Sequence, residues 1–415
     1  MPALPLNRLT LGLALAGLAG LSHAAGFALI ELNASGLGNA YAGAAAVAED
    51  ASTVYFNPAG MTLLPDRQLV VAGHLIKHKA EFGGEGRFID PSQTPVSGGQ
   101  GGDAGDWALV PNAYFAYRLT PDVHLGLGLN SPFGLKTEYD SDWIGRFQAI
   151  KSEVKTVNLN PSIAYKVSDV FSVGAGLNLQ WIEATLTHRQ PLAAAIPPPS
   201  TLMKIKGDDY GWGYNLGALW QISPATRVGL SYRSEIDYKL EGSSSTHDPV
   251  IAPLDGPVTA KVTLPDSASL SVFHQLSSRW DLLADVTWTG WSDFDDLPIE
   301  GTVNKNTPEN WKNILRYSLG ATWHMSEKLS LRGGVAYDEA PVSDLDRTAR
   351  IPDGARTWIA FGGQYRLGKG RAIDFGYAHL FVNDPGLQIT DNLTTLTGEY
   401  DSAVDILSAQ YTHSF

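Results

Sequence analysis

Few side chains in this 415-residue chain are grouped so that they could do chemistry, and the densest group is one loop. Residues 131–151 combine Phe133, Leu135, Trp143, Ile144 and Phe147 with Lys136, Arg146 and Lys151. The apolar members could line a groove for a hydrophobic molecule while a cation meets a carboxylate head. A loop mini-core with solvated charges accounts for them equally well. Arg189, at the top of a long strand, is a further head-group candidate, set against an exposed Arg that touches lipopolysaccharide phosphate. Arg316 and Arg332 are better read as structural partners of Glu49 or Asp50 than as ligand groups. The acidic run Asp293-Phe294-Asp295-Asp296 matches no calcium loop, and a solvated loop is the preferred reading. The ten His are scattered without a metal-type pair, and the lack of Cys excludes disulfides, thiolate metal sites and Cys nucleophiles together. Gly36-x-Gly38 lacks the third Gly and the preceding strand of a dinucleotide site. A hydrolase would need a His such as His188 or His247 oriented by a third group, and neither has that setting. No catalytic residue, metal or cofactor is therefore expected.

The elements that must position these residues alternate with period two. Phe171, Val173, Ala175, Leu177, Leu179 and Trp181 share one face, against Ser172, Gly174, Gly176, Asn178 and Gln180. The pattern returns as Trp212, Tyr214, Leu216 and Trp220 against Gly213, Asn215 and Gly217. It returns again in Leu315–Trp323 and Ile373–Phe381. A soluble sandwich would bury the apolar face, whereas a membrane barrel turns it to lipid. Loop lengths decide between them. Short breaks at 120–123, 166–169, 223–226, 276–279, 325–328 and 368–370 alternate with long connections at about 80–106, 130–151, 190–201, 240–257, 290–311, 338–356 and 382–401. That asymmetry is the one outer-membrane barrels show, and it predicts an all-β transmembrane antiparallel barrel of about 14 strands over 67–415. Trp181, Trp212, Trp280, Trp288, Trp323 and Trp358 are expected in the interfacial girdles. Phe415 ends an alternating last strand, as an outer-membrane assembly signal does, although His413 interrupts its apolar face.

The N-terminus carries Arg8, an apolar run and Ser22-His23-Ala24, which together read as a secretory leader over 1–24. Residues 25–66 do not alternate and are rich in Gly and Ala. Irregular backbone is costly in lipid, so this stretch is expected to fold inward as a plug, or hatch. Asn57-Pro58-Ala59-Gly60 closes it with a turn, Pro58 fixing φ and Gly60 permitting the reversal. The formal net charge of −13 argues against a nucleic-acid partner.

From Ala25 to Phe415 the chain closely resembles the FadL/TodX outer-membrane channels for hydrophobic compounds. The likeness lies in "AGFALIELNASGLGNAYAG", "NPAG", "SPFGLKTEYDSDWIGRF", "VNLNPSIAYKVSDVFSVGAGLNLQ", "LRYSLGATWHMSEKLSLRGGVAYDEAPV" and "RTARIPDGARTWIAFGGQY". It implies passive uptake of long-chain fatty acids or, alternatively, aromatic hydrocarbons. Capture would occur in an apolar groove among extracellular loops, with a pocket above the hatch and sideways release at a kink in an early strand. It also places Phe27, Leu29 and Ile30 near the inner pocket, and Asn57, Pro58, Ala59 and Gly60 in the hatch that gates. The implied protein is a monomer in the bacterial outer membrane, contacting lipid and lipopolysaccharide and assembled through Phe415. One departure is Ala355, where the family usually has an acid before Arg356; either a loop salt bridge is missing or Arg356 pairs elsewhere, with Asp353 the candidate.

Overall fold

The computed structural model describes residues 26–193, 195–246, 252–391 and 393–415, so the leader, Ala25 and His247 lie outside the described residues. Fourteen antiparallel strands close into one barrel. In chain order they are β1 (Arg67–Phe88), β2 (Trp107–Arg118), β3 (Val123–Asn130 and Gly134–Glu138), β4 (Lys151–Ser168) and β5 (Phe171–Pro191). Next come β6 (Ser200–Ser223), β7 (Thr226–Arg233 and Ile236–Ser245), β8 (Gly256–Leu264 and Ser267–Ser277), β9 (Trp280–Thr289, extended by Asp296–Gly301) and β10 (Lys305–Pro308, then Ile314–His324). The wall is completed by β11 (Leu329–Asp338), β12 (Arg356–Gly368), β13 (Arg371–Val382 and Gly386–Thr390) and β14 (Thr394–Ser414). β14 closes on β1, from Gln68 opposite Ser414 to Phe88 opposite Thr394.

The alternation sorts itself as lipid and lumen. Trp212 (71 % exposed) and Leu319 (62 %) stand outward, while Asn178, Gln180 and Asp374 are buried inward. A soluble core would reverse this. Two expectations are corrected. β1 and β14 run well past the boundaries read from the sequence, because Phe82 opposite Tyr400 and Gly84 opposite Gly398 continue the ladder above the apolar band. Trp358 is no girdle residue: it faces inward, fully buried, and its indole donates to Asp338 Oδ2 at 2.7 Å.

Residues 26–66 lie within the lumen as single turns of helix: α1 (Ala34–Leu37), α2 (Ala44–Val47), α3 (Thr53–Phe56) and a 3-10 turn (Pro58–Leu63). Asn33 and Asn57 cap two of these turns, accepting from Gly36 N at 3.0 Å and Ala59 N at 3.1 Å. α1 packs on β12–β14, α2 on β7 and β8, and the 3-10 turn on β4–β6. The wall makes room with glycine. A Cβ on Gly334 would run into the Asn39 backbone, and one on Gly217 into the Asn57 side chain. Charge fixes the seat: Arg332 bonds Glu49 at 2.6 Å and Asp374 at 2.7 Å, and Gln410 donates to Asp50 at 2.7 Å. Arg316 does not reach Glu49 or Asp50. It pairs with Asp338 of the wall at 2.8 Å and donates to the Ala40 carbonyl at 2.8 Å.

Replacing Gly334 with Val forces the Asn39 backbone off the wall, a strain of about 1–3 kcal/mol. The variant should still migrate as a heat-modifiable barrel on gels, yet pass several-fold more current in planar bilayers. Unaltered current would mean that the segment accommodates the added side chain.

Candidate functional site

Two apolar cavities occupy the extracellular half of the lumen, and the chain's first described residues divide them. The outer cavity, about 80 Å³, is walled by Leu135, Val154, Ile182, Leu240 and Val258, with Phe27 at its floor. The inner cavity, about 150 Å³, is lined by Leu29, Ile30, Tyr55, Phe56, Phe133 and Ile314, with the charged Arg233, Arg316, Asp285 and Asp338. Phe27 is held in an aromatic cage, its ring centre 4.8 Å from Trp291, 5.6 Å from Phe294, 5.9 Å from Trp311 and 6.1 Å from Phe133. Each such contact adds about 0.5–1.5 kcal/mol beyond the area it buries.

The cage stands over a break in the wall. β2 and β3 pair from Arg118 opposite His124 to Ala113 opposite Leu129, and there the ladder stops. Pro132 has no N–H to continue it, and Gly134–Glu138 pairs only with β4. Residues 27–31 cover the break from inside. Leu29 N donates to Pro132 O at 2.8 Å, Gly134 N donates to Phe27 O at 2.9 Å, and Ala28 bridges to Phe133. On the far side, Asn112 of β2 donates to Glu31 O at 3.1 Å. Outside the wall a lipid-facing groove of about 1110 Å³, lined by Leu75, Leu109, Leu129 and Leu407, reaches in to Asn112, Asn130 and Ser131.

The residues singled out from sequence separate into groups. Phe27, Leu29, Ile30, Phe133 and Leu135 converge on the two cavities. Trp143 and Phe147 do not: Trp143 stacks on Tyr139 at 4.0 Å and donates to the Ala149 carbonyl, while Phe147 packs on Phe88, in a separate loop core. The loop is stiff with its own packing, which is why its aromatics are not available to a ligand. Lys136 is engaged by Asp106 at 2.5 Å, and Arg146 donates to the carbonyls of Ser97 at 2.6 Å and Trp143 at 2.9 Å. Arg189 lines neither cavity. Asn57, Pro58, Ala59 and Gly60 are all buried, and Asn57 Nδ2 ties the Ala45 carbonyl (2.7 Å) to that of Ala218 on the wall (3.0 Å). Arg356 pairs with Asp353, whose other oxygen receives Gly26 N at 2.7 Å.

Sequence reasoning missed Arg233, Glu309, Arg350, Trp291 and Trp311. Only Trp291 left a trace, since it precedes the acidic run whose Phe294 turns into the cage. Among the described residues no group of acids and His is arranged to hold a metal. His188 is buried beside Gln190. His324 joins Asp281 (2.6 Å) and Ser330 (3.1 Å), but Ser330 is buried and lies outside both cavities, so this trio serves packing.

Glu309 and Arg350 edge the outer cavity. Burial pushes the Glu309 carboxyl up to about 8, with Arg350 opposing, and the same desolvation brings Arg350 down to about 10. At neutral pH the pair is thus net positive.

A closed antiparallel barrel with apolar cavities in its lumen and an N-terminal segment packed against its inner face is the architecture of an outer-membrane channel. The chain belongs to the family described as "Outer membrane protein transport protein (OMPP1/FadL/TodX)", whose model matches residues 15–415. It is 32 % identical over 414 residues to Outer membrane protein P1 of Haemophilus influenzae, covering 90 % of each chain. It is 29 % identical to the long-chain fatty acid transport protein of Escherichia coli O6:H1, covering 86 % of each. The crystal structure of a Pseudomonas aeruginosa FadL homologue superposes with a TM-score of 0.89 at 26 % identity, over 94 % of this chain and 100 % of that one. Members of this family are transport channels and not enzymes, and this chain is an outer-membrane protein.

Two outcomes are expected. Asn57→Ala strands two buried carbonyls and the Ala59 N–H, about 1–3 kcal/mol for each group left unsatisfied. Faster hydrogen exchange across residues 44–60 should follow, with barrel assembly intact; unchanged exchange would reduce Asn57 to a replaceable cap. The second concerns pH. Glu309 is uncharged below about 8, and as pH rises through that value it ionises and neutralises Arg350. Binding of laurate should therefore weaken above pH 8, and Glu309→Gln should remove the dependence; a flat profile in the unaltered protein would contradict this.

Proposed function

We propose that this protein takes up hydrophobic molecules, foremost long-chain fatty acids, by passive relay. Ligand enters among the extracellular loops, passes from the outer to the inner cavity as Phe27 yields, and leaves sideways through the break in β3. The observation that carries this reading is the N-terminal strap at 27–31, which both divides the cavities and covers the break. One movement of the strap would join the chamber to the lipid-facing groove. Its physical advantage is large, since moving a chain through water forfeits about 0.8 kcal/mol per methylene. An apolar space of about 150 Å³ holds a benzene-sized molecule. A long acyl chain would need both cavities, whereas an aromatic hydrocarbon would fit in one. Aromatic uptake is therefore the second reading.

In this reading residues 1–24 are the leader, 25–66 the hatch and 67–415 the barrel, and Asn57, Pro58, Ala59 and Gly60 hold the hatch in register. The outer head-group cation is Arg350, in place of Lys136 and Arg146, which neighbouring groups engage, and of Arg189, which lines neither cavity. The channel acts as a monomer in outer-membrane lipid and lipopolysaccharide, after assembly guided by Phe415.

The chain has no Cys, so a designed crosslink is clean. Ala28 and Phe133 form an antiparallel bridge, close enough for a disulfide after Ala28→Cys with Phe133→Cys. In a strain lacking its own fatty-acid channel, the unaltered protein should restore labelled oleate uptake. The oxidised double variant should lose it, recover with reductant, and differ in this from either single variant. Uptake that survives the crosslink would place release elsewhere.

A further inference from the structure

Three buried arginines of the lumen are paired with acids, whereas Arg227, Arg233 and Arg350 bond neutral oxygens, and of these three only Arg233 lines the inner cavity. Arg316 has Asp338, Arg332 has Asp374 and Glu49, and Arg356 has Asp353. Arg233, at the end of the first segment of β7, lines the inner cavity and has no carboxylate within ion-pair distance among the described residues. Its bonds go to neutral oxygens: Nη1 to Asn178 Oδ1 and Nη2 to the Tyr55 carbonyl at 2.9 Å. The ionisable groups facing it are the phenols of Tyr55 and Tyr114. The one acid in the same cavity beyond Asp338 is Asp285, and it is committed to the hydroxyls of Ser269, Ser271 and Thr287.

A desolvated cation without a counter-ion is costly, and folded chains normally pair or discard it. Arg233 is instead held in place. The Tyr55 ring lies under its guanidinium at 3.8 Å, and Asn178 is the middle of a ladder of lumen asparagines. Asn158 donates to Asn178, which donates to Asn215, so the oxygen that receives Arg233 is itself fixed by the wall. Two of the five guanidinium donors are used by these contacts, and a planar carboxylate suits what is left.

We infer that Arg233 is the inner head-group anchor, and that it selects carboxylate-ended amphiphiles over neutral hydrocarbons at this cavity. The inference rests on the uptake reading above and narrows its substrate class. The apolar tail would lie along Leu29, Ile30 and Phe133, toward the break in the wall. The carboxylate would also compete for Arg233 with the Tyr55 carbonyl, which belongs to the plug. Arrival of the correct ligand is thereby linked to loosening of α3.

The test compares oleate with methyl oleate, which has the same chain and no charge, in equilibrium binding to the full-length purified channel and in cell uptake. Arg233→Met should weaken oleate binding about 10- to 100-fold, the usual range for a bond between two charged groups, and leave the ester within about twofold. Arg233→Lys should restore most of the loss. Asn178→Asp gives the arginine a resident counter-ion at nearly constant shape, and should weaken oleate while sparing the ester. Equal loss of both ligands in Arg233→Met without rescue by Lys would show a plug-holding role and overturn the inference, as would no loss of either. If the unaltered channel takes up neither ligand, the uptake reading itself fails.

Discussion

In hydrocarbon every peptide group must find its partner within the protein. This one requirement governs the molecule. It closes β14 on β1 along 21 register positions, so that the wall has no free edge. It also makes the interruption at Ser131-Pro132-Phe133 a liability, since a strand that loses its neighbour exposes N–H and C=O groups at membrane depth. The solution is local. Pro132 carries no N–H to strand, and its carbonyl accepts from Leu29, while Gly134 donates to Phe27. The N-terminal strap therefore completes the wall at the break.

The same requirement explains the lumen. A plug of single helical turns leaves many backbone groups unsatisfied by its own coil. Asn33 and Asn57 within the segment, and Gln410 and Ser271 of the wall, supply the missing partners. Gly217 and Gly334 matter here for closeness alone; any side chain would hold the plug away from the carbonyls it must reach. The buried Arg–acid pairs then fix position more than they add stability, since their mutual attraction is largely offset by desolvation.

Much of this was legible in the sequence, and the reason is geometric. Period-two alternation carries its own assignment of faces once loop asymmetry has decided lipid from water. That residues 26–66 stay out of the wall was legible because a non-alternating, small-residue stretch cannot join a strand ladder in lipid. The sequence left Glu49 and Asp50 open as partners of Arg332, and Asp353 as one of two readings for Arg356; the structure selects Glu49 and Asp353. What stayed hidden depends on long-range register. Trp358 looked like any strand-end indole until its parity put it beside Asp338. Trp143 and Phe147 looked like a ligand groove because composition alone does not distinguish a loop that binds from a loop that packs on itself. Arg350 and Glu309 are 41 positions apart and meet only when two extracellular connections fold over one cavity.

Cations illustrate the limit most clearly. A head-group site was sought where basic residues cluster with aromatics, and that is where neighbouring acids and carbonyls quench them: Lys136 beside Asp106 and Glu138, Lys151 near Glu138 and Glu153. Clusters on a surface attract their own counter-ions. A cation able to discriminate a ligand must instead be isolated from acids, held by neutral oxygens, and backed by a low-dielectric cavity where a new charge pair is strengthened. Isolation leaves no local pattern in the chain, because it is a property of what the surrounding strands do not place nearby. Arg233 meets these conditions through Asn178 on β5 and Tyr55 in the plug, residues 55 and 178 positions away. The selective element we infer is accordingly the charge that lines the inner cavity and that no acid neutralises.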